Sequence, residues 1–220
     1  MVLVVCIKRF WMRLVVGNPA LSVKPRFVAR ARWCAHANGV NPPAAMRHWL
    51  TDSASLTVKL MARCEHFRVH RMRQTQALCL ADESAALNLP HVKQVREREV
   101  LLECDGVPVV FAHTVVPLNA NASDWPFFNT LGERSLGTTL FGDPLVQRGS
   151  LRFARLRSEH PLVRRACKAL GVERLESPLY ARRCLFRRKN GVLLVTEVFL
   201  PAIARVNSIK QNNSIEQSTS

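Results

Sequence analysis

Apolar and polar positions follow two periods along this chain. From Val95 to Pro117 the residues are β-rich on either side of Asp105-Gly106, a pair suited to a type I′ turn, so the stretch predicts a β-hairpin. On its first strand Arg96, Arg98, Val100, Leu102 and Cys104 share one face, and Glu97, Glu99, Leu101 and Glu103 share the other. Three acids mark the second face as solvated, which turns Arg98 toward the core beside Val100 and Leu102. A second hairpin, "LYARRCLFRRKNGVLLVTEVFLP", is expected to turn at Asn190-Gly191. Its second strand, "LLVTEVFLPA", is apolar on both faces except for Glu197, the only acid between Glu176 and Glu216.

Helical signals precede and separate these ribbons. Pro42 and Pro43 prime a helix in "NPPAAMRHWLTD", and Asp52 or Ser53 is placed to cap another with Leu56, Leu60 and Met61 on one stripe. A strand is expected over about 66–74, then an irregular acidic segment through Asp82 and Glu83. Ser135 is placed to cap a short helix beginning at Leu136, and helical residues around 158–170 end near Gly171. Consecutive hairpins without regular βαβ alternation predict an α+β fold: a single domain with an antiparallel β-sheet covered by helices on one face. Residues 1–31 read as a basic extension, 32–204 as the domain, and 205–220 as a polar, disordered tail.

Composition narrows the function classes. In 220 residues the hydrophobic share is 48% and the charged share 22%, as in an ordinary globular protein. No apolar run approaches the ~20 residues of a membrane span. Of the net charge of +16, half sits in the first 51 residues, which hold eight basic residues and no acid. Such a surface steers anions generally, a small polycarboxylate as well as a phosphate backbone. No zinc-finger spacing, RNP-like motif or helix-turn-helix accompanies it, so no nucleic-acid partner is expected. The seven cysteines include no CxxC pair and indicate neither a disulfide framework nor a zinc site, which places the chain in a reducing, cytoplasmic compartment. His66 and His70 stand four apart, but "EHFRVHRMRQ" alternates like a strand and offers no third ligand, so no metal is expected. No P-loop, GxGxxG turn or GxSxG elbow implies a nucleotide cofactor or a serine hydrolase.

Three features carry candidate chemistry. Burying Glu197 costs several kcal/mol by order of magnitude unless it is paired, hydrogen-bonded or protonated. Two readings are open: a structural ion pair with an arginine, or a carboxyl group facing an enclosed ligand site. Arg98 cannot shed its charge and therefore needs a carboxylate, from the protein or from a ligand. The helix start at Ser135-Leu136 is either an anion-binding turn or a capped structural one.

In order and spacing, "REVLLECDGVPVVFAHTVVP", "LGERSLGTTLF" and "LLVTEVFLPA" resemble the chorismate pyruvate-lyase family, with weaker similarity upstream through "HWLTDSASLT". The resemblance covers roughly Arg32 to Ala202. It implies a chorismate lyase-like α+β domain that needs no cofactor or metal and encloses its ligand beneath helical flaps. The implied reaction is elimination of pyruvate from chorismate to give 4-hydroxybenzoate for ubiquinone. Carried over by motif, the substrate contacts are Arg98 of "REV", Leu136 of "SLG", Glu197 of "TEVFLP" and Leu56 of "SLT", where the family commonly has methionine. Arg98 and Glu197 are the expected catalytic pair, with Glu197 acting as a general acid or orienting a ring hydroxyl. His113 stands where an arginine is expected, which would make one charge near the site depend on pH. A monomer acting on a small molecule is expected. The alternative is a non-catalytic effector-binding module of the same fold, as in certain transcription regulators; those carry an N-terminal DNA-binding helix-turn-helix of about sixty residues, for which the leader here is too short.

Overall fold

The computed structural model describes residues 30–120, 122–176 and 178–206. The expectations for the N-terminal extension and the polar tail fall mainly outside these residues. Val206, the last described, is packed into the core.

The first predicted hairpin forms as β2 (Gln94–Cys104) and β3 (Val107–Pro117). Its turn residues Asp105 and Gly106 have φ of +52° and +77°, the left-handed conformation that this two-residue turn requires. Asp105 also accepts from the backbone N–H groups of Glu65 and His66 at 3.0 and 2.8 Å, fixing the entry to β1 (Phe67–Leu78). The second hairpin is β6 (Leu179–Arg188) and β7 (Gly191–Phe199). It turns at Lys189-Asn190, one residue earlier than expected, because Gly191 already pairs with Arg188 as the first residue of β7. Gly191 is needed for space: a Cβ there would lie 2.6 Å from Asp124 Cβ and 2.8 Å from Trp125 Nε1.

The two hairpins join through β3 and β7 into one antiparallel sheet in which β1-β2-β3-β7-β6 run in order. The short strands β4 (Val146–Arg148) and β5 (Arg152–Leu156) share the outer edge of β6. The sheet is the antiparallel core of an α+β domain, as expected, but its helices divide between its two faces where cover on one face was expected. On one face Trp49 and Leu50 of α1 (Ala44–Thr51) and Leu56 and Leu60 of α2 (Leu56–Met61) pack with Val100, Leu102, Val110 and Ala112. On the other, Leu162, Val163 and Ala166 of α5 (Pro161–Leu170) pack with Leu101, Phe111 and Val198. The middle of the sheet therefore has no wet face, and every residue of β3 from Val109 to Pro117 is buried. No helix among the described residues is long and apolar enough to cross a membrane.

Burial of both faces overturns the solvated reading of Glu97 and Glu99. Both carboxylates are buried under α5, where Arg165 Nη1 donates to Glu97 at 2.8 Å and Glu99 at 2.6 Å. The acidic segment at Asp82 and Glu83 is not irregular; it forms α3 (Ala81–Ala86), started by Glu83 accepting from Leu80 N–H at 2.8 Å. Ser55, rather than Asp52 or Ser53, caps α2, and Met61 faces solvent. His70 lies on β1 beside Glu103 at 3.5 Å, while His66 is exposed just before that strand.

Candidate active site

A partly enclosed cavity opens between the sheet and the helices of the α1–α2 face. It holds about 660 Å³ of atom-free space, the open solvent at its mouth included. All four predicted contacts line it: Arg98 from β2, Glu197 from β7, Leu56 at the start of α2, and Leu136 at the start of α4 (Leu136–Gly142). Two further arginines line it that the sequence reading missed, Arg182 of β6 and Arg148 of β4.

Arg98 is 2% exposed, and no carboxylate pairs with it among the described residues. Its Nη2 donates to the carbonyls of Gly132 and Arg134 at 3.0 and 3.2 Å, and its buried Nε has no partner. Burial, with a smaller push from Arg71, lowers its pKa to about 10, so it stays charged at neutral pH. Its backbone bonds tie β2 to the loop that leads into α4, while its charge remains uncompensated.

Glu197 makes an ion pair with an arginine and also lines the cavity. Register places it opposite Arg182, whose Nε donates to it at 2.5 Å, and the same carboxylate lines the cavity. Arg182 also donates through Nη1 to the carbonyls of Trp49 and Asp52 at 3.0 and 2.6 Å. A cation at the C-terminus of α1 meets the free carbonyls and the negative end of the helix dipole. One guanidinium thus orients the cavity acid and anchors a helix of the cavity face.

Arg148 lies across the cavity, its guanidinium 5.2 Å from the Phe141 ring and bonded to the Ser53 carbonyl. The charged lining is then Arg98, Arg148, Arg182 and Glu197, a formal surplus of two positive charges. The roof is closed by contact between α2 and α4. Thr57 Oγ1 and Ser135 Oγ are 2.5 Å apart, so the Ser135 hydroxyl joins the helices instead of capping its own.

The chain matches the family described as Chorismate lyase over residues 27–208. It belongs to the chorismate lyase family. A protein of Nitrosomonas eutropha named "Probable chorismate pyruvate-lyase" is 47% identical over 168 residues, covering 76% of this chain and 93% of its own. One of the same name from Ralstonia nicotianae is 47% identical over 173 residues, covering 76% and 89%. Among solved structures, the effector domain of PhnF from Mycobacterium smegmatis is similar at a TM-score of 0.46 and 15% identity, over 67% of this chain and 89% of that one. So distant a likeness says nothing about function.

In this chorismate lyase family member His113 does not approach the cavity, contrary to expectation. Its strand neighbours Ala112 and Thr114 face the cavity, so alternation sends His113 to the α5 face. There it is 1% exposed, with Nε2 3.1 Å from Glu83 and Nδ1 3.5 Å from Glu99. Burial alone would lower its pKa; Glu83 and Glu99 outweigh burial and raise it to about 9. Glu97, Glu99 and His113 are also the described residues grouped closely enough to suggest a metal, with ligand atoms within 4.8 Å of one another. Arg165 already bridges the two carboxylates, and Arg73 Nε stands 3.4 Å from Glu97, so the acids are met by protein cations.

Proposed function

We propose that this protein is a chorismate pyruvate-lyase that converts chorismate to 4-hydroxybenzoate and pyruvate, supplying the ring for ubiquinone. The observation that carries this reading is the charge of the cavity lining. A surplus of two guanidinium charges, set in apolar walls, complements a small dicarboxylate, and chorismate carries one carboxylate on its ring and one on its enolpyruvyl ether.

Arg98 forks onto one of these carboxylates, the partner it lacks among the described residues. Leu56 and Leu136 press on the ring as apolar walls. Glu197, held by Arg182, accepts from the ring hydroxyl on C4. A carboxylate held by a guanidinium is an acceptor, which favours orientation of the hydroxyl over proton donation by Glu197. The C3–O bond breaks and the hydrogen on C4 is lost as a proton, its electron pair completing the aromatic ring. Enolpyruvate leaves and gains a proton at its methylene carbon to become pyruvate. Aromatisation supplies the driving force; the chain holds one reactive conformer and offsets charge on the departing group. No step calls for a metal or a nucleotide.

Purified protein incubated with chorismate is expected to release 4-hydroxybenzoate and pyruvate in equal amounts, with or without chelator. Chorismate left intact would reject this function.

A further inference from the structure

Two of the three cavity arginines have no carboxylate partner among the described residues: Arg98 and Arg148. Among the described residues Arg148 makes one backbone bond, to Ser53, and its buried Nε has no partner. A guanidinium cannot escape that burial by losing its proton, so each of these two groups calls for an anion from elsewhere.

Their places in the sheet are ordered. Along β2-β3-β7-β6-β4, Arg98 stands at one end and Arg148 at the other, with Glu197 and Arg182 on the strands between. Chorismate has the same order of groups. Its ring carboxylate on C1 lies across the ring from the C4 hydroxyl, and the enolpyruvyl arm leaves from C3 beside that hydroxyl. With the ring carboxylate at Arg98 and the hydroxyl at Glu197, the arm falls on the β6–β4 side.

We infer that Arg148 binds the carboxylate of the enolpyruvyl arm, so that it selects chorismate over ring acids lacking the arm and stays with the leaving group as the C3–O bond breaks. This rests on the chorismate reading above. The Phe141 ring of α4, its centroid 5.2 Å from the guanidinium carbon, adds a cation–π contact that helps hold Arg148 at the cavity.

4-Hydroxybenzoate has the ring carboxylate and the hydroxyl but no arm, so it separates this role from a structural one. In Arg148→Met the KM for chorismate is expected to rise about 10- to 100-fold, as for loss of a hydrogen bond to a charged group. Inhibition by 4-hydroxybenzoate should stay at its wild-type strength. Arg98→Met should weaken both. Arg148→Lys, which keeps charge without the fork, should show the same selectivity with a smaller rise, and it serves where Met disturbs folding. An unchanged KM in both Arg148 variants, or parallel loss of chorismate and 4-hydroxybenzoate binding, would overturn the assignment. A wild-type protein that leaves chorismate intact would overturn the reading beneath it, a result distinct from either.

Discussion

Arg182 and Glu197 face each other in register on β6 and β7 and bond at 2.5 Å, while the far side of the same guanidinium holds the last carbonyls of α1. The pair explains how a lone acid survives in an apolar strand, and it links the charge of the cavity to the packing of its helices.

Removing Arg182 should therefore cost both stability and activity. Arg182→Met leaves Glu197 without its partner and the end of α1 uncapped, a loss of about 3 kcal/mol by analogy with other broken buried pairs. A denaturant midpoint measured beside turnover checks this. Wild-type stability in the variant would mean that Glu197 and α1 are held by something else.

Glu197→Gln separates the two roles open to that carboxylate. General acid catalysis contributes about 10²- to 10⁴-fold, so an orienting acceptor should lose less than about 10² in kcat when it keeps its hydrogen-bonding shape. Glu197→Leu, which cannot accept, should fall further. A loss beyond that bound in the Gln variant would instead make Glu197 the proton donor.

Gly137 sits where α4 meets α2. A Cβ there would lie 2.9 Å from Thr57 Oγ1 and 3.2 Å from Ser55 Oγ, so Gly137→Ala must push the two roof helices apart. A destabilisation of about 1–2 kcal/mol is expected, as for overpacking elsewhere, together with a higher KM. Thr57→Ala in the same chain should relieve part of it. If Gly137→Ala is silent in both measurements, the helices do not need this contact.

His113 gives the fold a dependence on alkaline pH. Its pKa in the folded protein, about 9, is above the ordinary value of about 6.5. The folded state thus binds the proton more tightly than the unfolded chain. This contribution is complete below about pH 6.5 and is lost as pH rises through about 9. The gap in thermal midpoint between wild type and His113→Gln should narrow over that interval. A constant gap would mean that the ring is not charged. The cavity lies on the other face, so KM should follow a different pH profile.

Much of this site was legible because misplaced charge is costly. Glu197 stood out as the lone acid of an apolar strand and Arg98 as a charge turned toward the core beside Val100 and Leu102, and the structure puts both on one cavity. Leu56 and Leu136 came from the family resemblance, since nothing in their own pattern distinguishes cavity wall from core. Arg182 was hidden by a one-residue error. A turn at Asn190-Gly191 would set Glu197 opposite Cys184, whereas the turn at Lys189-Asn190 sets it opposite Arg182. Arg182 also shares β6 with Arg183, Arg187 and Arg188, so nothing in its own segment marked it apart from the other arginines. Arg148 ends a three-residue strand, too short to show a period. Glu97 and Glu99 misled because their partner Arg165 is more than sixty residues away, beyond any local pattern.

Arg98 and Glu197 sharing one ligand is the claim beneath all of these. A crystal structure of the protein grown with 4-hydroxybenzoate tests it directly. The ring should lie between Leu56 and Leu136, its carboxylate forked on Arg98 and its hydroxyl on Glu197. A ring bound elsewhere, or one that leaves Arg98 bonded only to Gly132 and Arg134, would contradict it.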